Sequence, residues 1–156
     1  MLNIVKITDY MSENLISLDL KAKNKDEVLK ELSQIIGKSP KIVQKDTIYK
    51  ALLERENLGS TGIGKEVAIP HAKTDGAEGL TIAFGIHREG VDFKSLDKEK
   101  VKIFFVFASP FKDSQIYLKV LARISRLIRD EAFRNKLLSC KSEKEIIECI
   151  DKEEAL

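Results

Sequence analysis

Val101-Lys102-Ile103-Phe104-Phe105-Val106-Phe107-Ala108 is the stretch that decides the fold class of this chain. Successive side chains of an extended segment point to opposite faces, and apart from Lys102 this run is apolar on both. A strand that must be covered on two sides belongs in the middle of a sheet, with helices packed above and below it. Towards the N-terminus, Leu80 to Ile86 and Val67 to Ile69 also read as strands. Further back, Leu15-Ile16-Ser17-Leu18-Asp19-Leu20 alternates with period two after Leu15, as a half-buried strand does.

Helices fill the intervals. Asn24 is placed to cap a helix in which Val28, Leu29, Leu32, Ile35 and Ile36 share one face, and Gly37 and Pro40 stop it. Asp46 opens a second helix, where Ile48, Ala51, Leu52 and Arg55 fall at i, i+3, i+4 and i+7. The arginine therefore ends the core-facing stripe and needs a partner. After the central strand, Ser114 to Ile128 carries an apolar stripe of Tyr117, Leu121, Ile124 and Ile128. Lys119, Arg123 and Arg126 line a second, basic stripe, a solvated face able to meet acidic surface on a partner. Glu131 to Leu138 and Ser142 to Ile150 read as closing helices, and the last six residues are expected to fray. With no repeats, low-complexity tracts or linkers, the expectation is one α/β domain over residues 1–156, with its core at about 5–150.

Composition narrows the function classes. Twenty-seven basic and 25 acidic residues leave a net charge of +2, far from the basic excess of a dedicated nucleic-acid binder. Cys140 and Cys149 have neither metal-ligand spacing nor the density of a disulfide framework, and read as reduced thiols. The N-terminus lacks an apolar signal core, and the apolar run from Ile103 to Ala108 is too short to span a bilayer. A cytoplasmic protein with no membrane insertion is expected.

Chemistry concentrates between Arg55 and His71. Gly59-Ser60-Thr61-Gly62-Ile63-Gly64-Lys65 matches the first seven positions of a phosphate-binding P-loop. Glu66, however, stands where a Ser or Thr should hold magnesium, and the loop runs from helix to strand, without a helix N-terminus to face phosphates. The match therefore gives little support to nucleotide hydrolysis. A smaller phosphoryl group remains within reach of this loop: glycines such as Gly62 let backbone N–H groups turn towards an anion, the Ser60 and Thr61 hydroxyls can donate, and Arg55 supplies a planar fork. Behind the loop, Val67-Ala68-Ile69-Pro70-His71 presents one of only two histidines. Its ordinary pKa of about 6.5 leaves a neutral, nucleophilic imidazole at pH 7. No third group that would fix its tautomer can be identified from spacing.

At these residues the chain resembles the enzyme IIA proteins of the bacterial phosphoenolpyruvate-dependent sugar phosphotransferase system, of the fructose/mannitol type with its nitrogen-regulatory relatives. Arg55-Glu56, Gly59 to Gly64, Ala68-Ile69-Pro70-His71, Phe104-Phe105-Val106 ending at Pro110, and Leu118 with Leu121-Ala122 stand in family order. The resemblance implies a central mixed sheet flanked by helices, with His71 in a shallow surface depression. It further implies that His71 takes a phosphoryl group from the phosphocarrier HPr and passes it to a cysteine of an enzyme IIB, with Arg55 stabilising it and no cofactor or metal required. Fructose is the expected sugar; a regulatory protein that signals by docking is the alternative. One departure stands out, since the family's second histidine is replaced by Tyr117, which can donate a hydrogen bond but cannot carry positive charge at pH 7. His87 matches no family motif and is assigned no role.

Overall fold

Thr81–Val91 (β5) and Val101–Ser109 (β6) pair antiparallel along most of their length and form the centre of the sheet. The computed structural model describes residues 5–156. Around this pair lie Ile16–Ser17 (β1), Gly62–Gly64 (β2), Val67–Ala68 (β3) and His71–Lys73 (β4). The order across the sheet is β1-β5-β6-β3-β2, with β4 following β3 along the same side of β6. β1 runs parallel to β5, β3 and β4 parallel to β6, and β2 antiparallel to β3, so the sheet is mixed.

The two faces of the sheet build two cores. Ile82, Phe84, Ile103, Phe105 and Phe107 pack against Ser114–Leu127 (α3), Glu131–Ser139 (α4) and Glu143–Glu154 (α5). Ala83, Phe104, Val106 and Ala108 pack against Lys25–Ile36 (α1) and Asp46–Glu56 (α2). The double-faced apolar run of β6 is thus covered on both sides, as its sequence requires. Asn24 caps α1 by accepting from Glu27 N–H at 2.9 Å, and Ser142 caps α5 in the same way through Glu145 N–H.

Several elements depart from the sequence reading. The strand expected over Leu15–Leu20 shrinks to two residues at the sheet edge: Glu13–Leu15 is a 3₁₀ turn, and the chain rejoins β5 only through Leu20 N–H to Ile86 O at 2.9 Å. β5 runs on through polar His87-Arg88-Glu89, because a bulge between Ile86 and Val91 and a Gly90 at φ +85° keep the ladder with β6. Asp46 is the first helical residue of α2 and Lys45 its N-cap. On α3 the buried stripe is Tyr117, Val120 and Ile124, continued by Ile128 at the C-cap, with Leu121 only half-buried. The C-terminus does not fray after Ile150, since α5 continues to Glu154. Its buried carboxylate pairs with Arg123 at 2.9 Å and accepts from Ile7 N–H at 3.0 Å, which also takes Arg123 out of the proposed free basic stripe. No helix among the described residues is long and apolar enough to cross a membrane.

Candidate functional site

His71 owes its position to the residue before it. Proline has no N–H for the ladder with β6, so β3 and β4 are separated at Ile69-Pro70 and the chain keeps contact there through Phe107 N–H to Pro70 O at 3.0 Å. β4 then resumes with His71 opposite Phe107, near the carboxyl end of β6. Arg55 arrives from the last turn of α2. Its Nε donates to His71 Nε2 at 3.1 Å and its Nη1 to Gly59 O at 2.8 Å. A guanidinium can only donate, so Nε2 carries the lone pair and the ring proton sits on Nδ1. Nδ1 donates in turn to Ile69 O at 3.1 Å. The group that fixes the tautomer is therefore a backbone carbonyl, which no side-chain spacing could have pointed to.

Electrostatics keep this imidazole neutral. Burial pushes its pKa below the ordinary value, against the Ile69 carbonyl, which favours the charged ring; the Arg55 and Lys73 cations lower it further and Glu56 opposes them. Tyr117, at the start of α3, lies with its ring centroid 5.4 Å from that of His71 and edge-on to Phe107. Tyr117 therefore packs directly against the His71 ring. Burial, partly offset by Arg55, pushes the Tyr117 phenol up to about 12, so it stays a neutral donor. Lys73 was missed in the sequence. It lies two residues beyond His71 on the same face of β4, with Nζ 5.0 Å from the Tyr117 centroid and donating to Ser114 Oγ at 3.2 Å. Period-two alternation from His71 was the signal that could have found it.

The glycine-rich segment is more ordered than a cradle loop. Gly62–Gly64 is a strand, and Lys65 and Glu66, both at positive φ (57° and 68°), turn it back into β3. Ser60 Oγ donates to Phe93 O at 2.9 Å while accepting from Gly62 N–H at 3.0 Å. Thr61 is buried, with its hydroxyl donating to Glu56. The expectation that both hydroxyls are free to donate to a phosphoryl group is corrected accordingly: their protons, and the Gly62 N–H, are committed inside the protein. Gly62 is closely packed, because a Cβ there would lie 2.0 Å from Ser95 Oγ and that side chain would have to turn away.

Elsewhere, His87 pins the bulge of β5: Nδ1 accepts from Gly90 N–H at 3.0 Å and Nε2 donates to Ala22 O at 2.7 Å. Cys140 and Cys149 are free thiols raised by burial. Among the described residues no cluster of three or more His, Cys, Asp or Glu is arranged to hold a metal ion.

Known proteins share both the fold and the sequence around this site. The chain is 36% identical over 147 residues to the Bacillus subtilis fructose-specific EIIABC component, covering 94% of this chain but only 23% of that longer protein. It is 31% identical to the fructose-specific EIIA component of Haloferax volcanii, covering 93% of this chain and 94% of that one. It is 35% identical to a nitrogen regulatory protein of Bradyrhizobium diazoefficiens, over 84% and 85% of the two chains. Among solved structures it superposes on the nitrogen regulatory protein IIA-Ntr of Neisseria meningitidis with a TM-score of 0.86 at 27% identity, covering 92% of this chain and 98% of that one. Residues 9–153 match the family model for the phosphoenolpyruvate-dependent sugar phosphotransferase system, EIIA 2. The fold and the sequence together make the chain a member of the EIIA type 2 family of that phosphotransferase system.

Proposed function

We propose that His71 is the phosphoryl acceptor, taking the group on Nε2 from phospho-HPr and passing it to a cysteine of an enzyme IIB in the cytoplasm. The observation that carries this reading is the pair of bonds on the imidazole, which place the lone pair on Nε2 and the proton on Nδ1. Nε2 attacks phosphorus as the donor's P–N bond breaks, and that bond's electron pair returns to the donor nitrogen. The ring gains positive charge, and the Ile69 carbonyl at Nδ1–H stabilises it. Arg55 Nε–H, which caps the lone pair in the unphosphorylated protein, moves onto the phosphoryl oxygens, where a planar guanidinium binds best. In the onward step a IIB thiolate attacks phosphorus and the electron pair returns to Nε2. Exposed apolar side chains of Leu58, next to the Arg55 end of α2, and of Phe111 and Leu118, at the entrance to α3, support docking of protein partners.

The fructose-specific relatives favour fructose as the sugar served. The similarity to nitrogen regulatory proteins supports a second reading, a regulator phosphorylated at the same histidine that signals by docking. Incubation with phosphoenolpyruvate, enzyme I and HPr, followed by phosphosite analysis and a chase with IIB domains, tests both. Label at His71 that one IIB discharges supports transport, and stable label supports the regulator. Label retained by His71→Ala sinks the acceptor assignment.

A further inference from the structure

Glu56 immediately follows Arg55, yet its side chain points the other way, into the protein, where it is 3% exposed. Every partner it has is a donor: Lys25 Nζ at 3.0 Å, Thr61 N–H at 3.0 Å and the Thr61 hydroxyl. Lys25 also lies 4.5 Å over the Phe93 ring, so the carboxylate joins the start of α1, the end of α2 and the segment at Phe93. From Thr61 the connections continue towards the imidazole, since Thr61 O accepts from Ile69 N–H at 3.0 Å and Ile69 O accepts from His71 Nδ1. The backbone of Glu56 meanwhile accepts from Gly59 N–H at 3.0 Å, and Gly59 O holds the Arg55 fork. Both partners of the imidazole are thus anchored to this one buried residue.

We propose that Glu56 is a positioning residue for phosphoryl transfer. By clamping Thr61 it keeps the Ile69 carbonyl where His71 Nδ1–H must point, and so keeps the Nε2 lone pair facing Arg55. The proposal rests on the reading that His71 is the acceptor. Glu56→Gln keeps one acceptor oxygen for Lys25 Nζ and Thr61 N–H but removes the charge and sets an N–H₂ against the Thr61 hydroxyl, so the clamp is weakened. Thr61→Val removes one hydroxyl and leaves the Lys25–Glu56 pair in place, which provides a second variant should loss of the buried carboxylate prevent folding. Thr61→Ser keeps both donors.

Nitrogen-15 NMR of the unphosphorylated protein reads the tautomer, and initial rates of labelling from phospho-HPr read the transfer. For Glu56→Gln and Thr61→Val the Nε2–H tautomer should become populated, and the maximal labelling rate should fall on the order of 10²-fold at an unchanged half-saturating HPr concentration. Thr61→Ser should restore both. Folded variants that keep the wild-type tautomer and rate overturn the proposal. Slower labelling with an unaltered tautomer overturns it as well, by reducing Glu56 to a structural residue. Wild-type protein that takes no label overturns the acceptor reading along with it, whereas labelled wild type beside unaltered variants overturns this inference alone.

Discussion

His71 is poised by three neighbours of different kinds: a carbonyl that fixes its proton, a guanidinium that faces its lone pair and a phenol that walls it in. Because its folded pKa is lowered, the unfolded chain binds the proton more readily. The stabilisation tied to the neutral ring is complete above the unfolded value of about 6.5 and is lost as pH falls through the folded pKa. Labelling by phospho-HPr should therefore be insensitive to pH from 8 down to about 6.5 and decline only below it. A His71 NMR titration with its midpoint at or above that value would contradict the assignment. Arg55→Ala should raise that midpoint, since it removes a cation, and slow labelling on the order of 10²-fold because the developing phosphoryl charge loses its fork. Tyr117→Phe keeps the buried ring and should leave stability nearly unchanged. Tyr117→Ala should cost about 3–5 kcal/mol in urea unfolding, as expected for emptying a buried aromatic site.

At the scale of elements, the β2–β3 hairpin and α5 hold the site and the fold in ways that composition hides. Gly62 faces the buried Ser95 side chain, whose hydroxyl has no hydrogen-bond partner among the described residues. Gly62→Ala should cost about 1–3 kcal/mol through overpacking, and Ser95→Gly should recover most of it; a double-mutant cycle by denaturant unfolding checks the coupling. α5 carries Glu154 to Arg123 of α3 and to the backbone at Ile7. Glu154→Ala should cost about 2 kcal/mol, the scale of a lost hydrogen bond to a charged group, and a urea midpoint equal to wild type would show that the C-terminal turn contributes nothing.

For the molecule as a whole, β5 and β6 divide the interior into two apolar layers that share a sheet but few side chains. Ile103 belongs to the layer under α3–α5 and Val106 to the layer under α1 and α2. Ile103→Val and Val106→Ala should each cost about 1–2 kcal/mol, and their costs should add within about 0.5 kcal/mol, because neither side chain touches the partners of the other. Strong non-additivity in urea unfolding would mean that the layers relax together through the sheet. The site itself lies between the layers: Arg55 comes from a helix of one, Tyr117 from a helix of the other, and His71 from the strand between them.

Local rules were enough for much of this protein. The double-faced apolar run of β6, the cap at Asn24 and the 3.6-residue stripes of the helices are set by near neighbours, so their places could be read directly from the chain. Arg55, His71 and Tyr117 could be singled out as candidates through the order of their motifs, and the fold brings the three together. Tertiary structure decided what depends on distant partners. Strand pairing made a strand of Gly62–Gly64 and carried β5 through polar residues, while long-range bonds to Arg123 and Ile7 kept the end of α5 helical. It also turned the Ser60 and Thr61 hydroxyls inward and set the histidine tautomer through a backbone carbonyl. Hydrogen bonds are satisfied by whichever group the fold brings within 3 Å or so, and sequence order does not record that geometry.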